Sequence, residues 1–80
     1  ERNSINLKVF PIPANDRITI MVDDNQHIQR VRIFNIIGNT ILDSSNGSST
    51  IPVSSFKNGI YLLEVSTNKG RSVQRIVINR

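Results

Sequence analysis

The strongest constraint on this chain is its apolar rhythm. In run after run, apolar and polar residues alternate, and no stretch holds a helical period for more than a turn. Ile5-Asn6-Leu7-Lys8-Val9-Phe10 alternates, and Arg17-Ile18-Thr19-Ile20-Met21-Val22 repeats the pattern with Ile18, Ile20 and Val22 on one face. Successive side chains of a strand point to opposite sides, so each run presents an apolar face that must be buried against another sheet. Between these two runs, Pro11 and Pro13 cannot donate to a ladder, and the segment through Ala14-Asn15-Asp16 must extend or turn.

The later runs follow the same rule with informative exceptions. Ile28 to Ile37 reads as a longer strand with Val31 and Ile33 on one side and Arg30 and Arg32 on the other. Its phase breaks at Phe34, since Phe34, Ile36 and Ile37 do not share a face; a bulge or a strand end covered on both sides would account for this. Gly38-Asn39 reads as a turn, Thr40-Ile41-Leu42 as a short strand, and Asp43 to Thr50 as a Ser/Gly/Asn loop. Pro52 confines a short strand around Ile51-Pro52-Val53 to a sheet edge. Asn58-Gly59 is a turn leading into Ile60–Val65, apolar on both faces at its start as a central strand would be. Asn68-Lys69-Gly70 then joins it to Arg71–Asn79 through a three-residue hairpin loop. Six or seven short strands spaced by turn signals predict an all-β fold, a small antiparallel Ig-like β-sandwich.

Eighty residues allow one domain, and a chain of this size buries only roughly 60–65% of its unfolded surface. The absence of cysteine excludes a disulfide scaffold, a thiolate metal site and a Cys nucleophile. No run approaches the roughly 18–20 apolar residues of a membrane helix, so no membrane insertion is expected. Glu1 to Phe10 lacks the layout of a signal peptide. A start at Glu suggests a piece of a longer protein, and the apolar run ending just before Arg80 reads as a natural C-terminus. Residues 1–6 are expected to be linker or N-terminal extension and residues 7–80 the domain.

The formal net charge of +4 raises the question of a nucleic-acid partner. The basic residues are scattered from Arg2 to Arg80, however, and only Arg30/Arg32 and Arg71/Arg75 share a face within one strand. No exposed aromatic series accompanies them, so they read as solubilising charges on strand faces and edges, and no nucleic-acid partner is expected.

Catalytic chemistry has little to stand on. His27 is the single histidine and lies in a polar turn near Asp24 without a marked nucleophile. Ser44, Ser45, Ser48 and Ser49 form no Gly-x-Ser-x-Gly elbow. Asp23-Asp24 lacks the repeated acidic spacing of a calcium loop. The four glycines form no phosphate-cradling cluster, and Asn46-Gly47-Ser48 matches a glycosylation sequon that a plain turn explains equally well. No enzyme activity, catalytic residue, metal or cofactor is expected.

Three motifs in order carry a family resemblance: Val9-Phe10-Pro11-Ile12-Pro13-Ala14-Asn15-Asp16, Val31-Arg32-Ile33-Phe34-Asn35-Ile36-Ile37-Gly38, and Phe56-Lys57-Asn58-Gly59-Ile60-Tyr61-Leu62-Leu63-Glu64-Val65 with Asn68-Lys69-Gly70 and a basic-apolar ending through Val77. Together they resemble the C-terminal sorting domain of the type IX (Por) secretion system of Bacteroidetes, from about Leu7 to Arg80. Ile12 stands where the family usually has Asn, and Asn39 where Gln or Lys is common; neither changes the strand–turn logic.

The resemblance implies a signal that directs a fused N-terminal cargo domain through the outer-membrane translocon. In many members a sortase-like peptidase then removes it at the cell surface, with shuttle components assisting. It implies an exported protein, periplasmic in transit and then at the outer membrane, cell surface or outside the cell. The motif positions put forward as the sorting signal are Pro11, Pro13, Asn15, Asp16, Gly38, Gly59, Tyr61, Leu63, Val65, Gly70, Arg71, Arg75 and Val77. Gly59 would keep the turn, Tyr61 and Leu63 would fix the strand, and Arg71, Arg75 and Val77 would present the signal; the plainer reading is that all are core and hairpin residues. The competing function is an extracellular Ig-like module binding carbohydrate or protein, poorly supported for sugars because the chain has no Trp and Tyr61 lies inside an apolar run. Exposed sheet edges would also permit a strand-swapped dimer.

Overall fold

A computed structural model describes residues 5–80. Seven strands follow one another: β1 (Leu7–Phe10), β2 (Arg17–Val22), β3 (Ile28–Asn35), β4 (Thr40–Ser44), β5 (Thr50–Pro52), β6 (Gly59–Thr67) and β7 (Gly70–Ile78). They form two antiparallel sheets, one ordered β1-β2-β5 and the other β4-β3-β6-β7. The domain is the expected all-β sandwich, with β5 at a sheet edge as Pro52 requires.

Period-two alternation sorts the side chains. Val9, Ile18, Ile20 and Ile51 from the smaller sheet and Val31, Ile33, Tyr61, Leu63, Val65, Ile76 and Ile78 from the larger one join a single buried cluster. Val22 packs against that cluster but is only half-buried. Ala14, Val53 and Phe56 from the connecting loops complete the core at one end. Ile5 also belongs to it, so packed chain begins two residues before the expected start at Leu7; residues 1–4 of the expected linker lie outside the described residues.

Three local readings are corrected, and the choice left open at Phe34 is decided. The third run ends as a strand at Asn35, and Ile36 and Ile37 stand in the following turn, 75% and 77% exposed. The phase break at Phe34 is a bulge: Ile33 pairs with Leu42 but Phe34 with Thr40, leaving Ile41 as the extra residue on β4. The loop expected over Asp43 to Thr50 is shorter at its start, because β4 continues to Ser44 opposite Val31. Finally, Gly70 pairs with Thr67, so the β6–β7 hairpin turns on Asn68 and Lys69 alone, and the three-residue loop is replaced by a two-residue one.

Leu63 is fully buried at the middle of the central strand β6. Leu63→Ala is therefore expected to cost about 2–5 kcal/mol, read as a lower urea midpoint at unchanged slope. Ile36→Ser, in the exposed turn, should leave the unfolding free energy from the same titration within about 0.5 kcal/mol of the parent.

Candidate functional site

The three motifs meet at one end of the sandwich. The loop after β1 places Ala14 beside the end of β7, where its N–H donates to the Val77 carbonyl (2.7 Å) and its carbonyl accepts from the Asn79 N–H (2.9 Å). This parallel bridge ties a loop of the smaller sheet to the edge of the larger. The loop after β5 is closed by the Val53 N–H on the Asp16 carbonyl (2.9 Å) and the Phe56 N–H on the Val53 carbonyl (3.0 Å). Tyr61 points inward, its ring 5.4 Å from that of Phe56, and its hydroxyl donates to the Lys57 carbonyl at 2.7 Å. Its polar tip is thus satisfied at the rim of the core.

Arg80 knots these loops together. One guanidinium nitrogen donates to the carbonyls of Asn15 (2.7 Å) and Val53 (3.1 Å), and the other terminal nitrogen donates to the carbonyl of Phe56. Its own backbone N–H donates to the Asn58 side chain at 3.0 Å. A planar group with five donors can serve several carbonyls at once, which an ammonium on a flexible stem does less well. The Asn35–Gly38 turn lies at the same end, because Asn35 pairs with Tyr61. There the Asn35 side-chain oxygen accepts from the N–H groups of Ile37 (3.2 Å) and Asn39 (2.9 Å), and Gly38 adopts φ +94°, a conformation that favours glycine.

The outer face of the larger sheet divides in two. Toward the β6–β7 turn it carries a charge lattice: Arg30 clamps Asp43 through two hydrogen bonds of 2.9 and 2.7 Å. Glu64, 7% exposed, lies between Arg32 (hydrogen bond 2.6 Å) and Arg71 (3.1 Å). Arg32 in turn sits 5.2 Å over the Phe34 ring. The hydrogen bond from Arg30 holds the Asp43 carboxyl below its usual range, so this pair is intact at neutral pH and is lost only as pH falls through that lowered value. Toward the loop-rich end the same face is apolar, with Ile60 opposite Val77 and Phe34 beside Leu62. Arg75, opposite Leu62, makes no ion pair among the described residues.

The proposed signal positions therefore have different settings. Tyr61, Leu63 and Val65 are core; Pro11, Pro13, Asn15 and Asp16 are exposed around the Ala14 bridge; Gly59 opens β6 with φ +156°, a conformation that favours glycine; Gly70 opens β7; Arg71 engages Glu64; Arg75 is exposed and Val77 half-buried on the outer face. Ala14, Glu64 and Arg80 were not among the expected positions, although each organises this region. His27 only donates its backbone N–H to the Asn68 side chain (2.8 Å), at the opposite end. Among the described residues no group of acidic, His or Cys side chains could hold a metal ion.

A family model described as the secretion system C-terminal sorting domain matches residues 8–79. The chain belongs to that family. A beta-agarase D of Zobellia galactanivorans is 38% identical over 74 residues, covering 91% of this chain and 15% of that protein. An endo-acting ulvan lyase of Formosa agariphila is 32% identical over 75 residues, covering 90% of this chain and 14% of the other. The chain thus spans about one-seventh of the length of the curated relatives it matches. In structure it is similar to part of PorZ, a surface component of the type-IX secretion system of Porphyromonas gingivalis, with a TM-score of 0.65 at 17% identity, covering 92% of this chain and 11% of that one. This likeness shows the fold. As a type IX sorting domain, the chain is a secretion signal for its cargo, and the family is not catalytic; such a signal implies export to the cell surface or the extracellular space.

Arg80→Ala should lower stability by about 1.5–3 kcal/mol, since it strips a charged donor from three carbonyls. Amide exchange should then quicken first at residues 53–58, and Arg80→Lys should recover only part of the loss.

Proposed function

We propose that the sandwich is read as a folded unit by the outer-membrane translocon and its shuttle components, carrying a fused N-terminal cargo across after passage through the periplasm. A sortase-like peptidase then removes the domain at the cell surface. The observation that carries this reading is the coverage: the sorting-family match takes in nearly the whole chain, while the chain matches only a small part of each enzyme relative. Such a distribution suits a tag shared by different cargoes.

The β6–β7 hairpin is the element we assign to recognition. Gly59, Tyr61, Leu63 and Val65 shape its inner strand, Gly70 its turn, and Arg71, Arg75 and Val77 face outward along β7. Pro11, Pro13, Asn15, Asp16 and Gly38 shape the loops at the Arg80 end. This division supports a domain whose core residues secure the fold and whose outer strand meets the machinery. The exposed edges would also allow a strand-swapped dimer.

The test is a fusion of residues 1–80 behind a reporter bearing an inner-membrane signal, expressed in a bacterium with the type IX translocon and in its translocon-deficient counterpart. The reporter should reach the surface or medium only in the first. Retention in the periplasm of both strains would falsify the reading.

A further inference from the structure

We infer that the open edge of β7 binds an extended segment of a partner protein, added as a further strand of the larger sheet and carrying carboxylates beside Arg75. This deepens the export reading by supplying the kind of partner that would read the hairpin.

The Ala14 bridge reveals which backbone groups face outward. In an antiparallel ladder the N–H and C=O of one residue point to the same side, and successive residues alternate. The Val77 carbonyl points away from β6, since it accepts from Ala14. Hence Val77, Arg75, Val73 and Arg71 direct their backbone groups outward, while Ile76, Gln74, Ser72 and Gly70 direct theirs into the ladder with β6. The tight turn agrees, because its closing pair, Thr67 with Gly70, falls in the ladder set. Ala14 occupies only the end of this edge. From Arg71 to Arg75 no described strand lies beyond β7, and no described backbone group engages the outward amides and carbonyls. This is an edge already shown to accept a backbone segment at one end and left open along the rest.

The side chains select the occupant. Arg71, Val73 and Arg75 share the outer face, with Val73 56% exposed. Glu64 is the acidic residue facing Arg71, and it is already shared with Arg32. Lys69 in the adjoining turn adds to the positive field. A second copy paired antiparallel about Val73 would set Arg71 opposite Arg75 in both directions, an unfavourable meeting of like charges. A strand bearing Glu or Asp on the same face instead meets an unpaired Arg75 and covers Val73.

The test uses the 80-residue domain and two synthetic probes, an alternating Val/Glu peptide and an alternating Val/Lys peptide. In the free domain the amides of Arg71, Val73 and Arg75 should exchange fast and those of Ser72, Gln74 and Ile76 slowly. The Val/Glu peptide should slow the first set, and the Val/Lys peptide should not. Val73→Pro removes only an outward donor, which an edge strand tolerates, and should abolish this protection while Gln74 stays slow. Arg75→Glu leaves the backbone intact and should weaken the Val/Glu peptide about fivefold; it decides the matter if V73P does not fold. Equal protection by both peptides or by neither, concentration-dependent protection without peptide (a second copy as occupant), or protection by anionic vesicles overturns the inference. In cells, failure of the unaltered fusion to be exported counts against the export reading. Full export by a folded V73P, with the unaltered fusion also exported, counts against the edge alone.

Discussion

Among the described residues, a single backbone bridge joins the two sheets, at Ala14 and Ile78. Beyond it, apolar contact between inner surfaces holds them face to face, with side-chain ties at the Arg80 end and, at the other end, from the Thr67 hydroxyl to Gln26 and from Asn68 to the backbone of Asn25 and His27. The rest of the structure depends on that burial. Fully burying one aliphatic side chain contributes roughly 1.5–3 kcal/mol, and the cluster is only one layer of residues from each sheet. The central inward positions of β2, β3 and β6 are therefore apolar and fitted, and the one buried polar residue on the inner face of β6, Thr67 at its end, has its hydroxyl engaged by Gln26.

The same thinness explains the polar closure. Loop carbonyls at the end of a small sandwich are drawn away from water without a helix or further strand to receive them, and unpaired buried carbonyls are costly. Arg80 meets three of them with one side chain, and the Tyr61 hydroxyl takes a fourth at Lys57. Within the described residues no buried side-chain polar atom lacks a partner. Glu64 fits the same account on the outer face, where two arginines from neighbouring strands make its low exposure tolerable.

What could be read from the chain follows from how local each signal is. The alternation of Arg17–Val22 translates directly into β2 with Ile18 and Ile20 inward, and Pro52 into an edge strand, because period and ladder chemistry act within a few residues. The bulge could be suspected at Phe34, but its extra residue, Ile41, lies across the turn on β4, where a short run of Thr40-Ile41-Leu42 gives no phase of its own. Ile36 and Ile37 extend the strand pattern because they are apolar; the Asn35 side chain, folded back onto their turn, shows that the strand has ended. Arg80 and Glu64 were out of reach for a different reason. Their partners are Asn15, Val53, Phe56, Arg32 and Arg71, and those adjacencies exist only once strand order and register are known.

The tie from Arg80 to Asn15 spans 65 positions of an 80-residue chain. Closing so long a loop is entropically slow, and folds built on distant pairings form later than those built on local ones. No shorter stretch of the chain contains both halves of the knot, so on folding the local β6–β7 hairpin can form first while the sandwich stays unsealed. The domain is then an all-or-none object in time as well as in space: its closed end comes into being only when every strand between has been delivered.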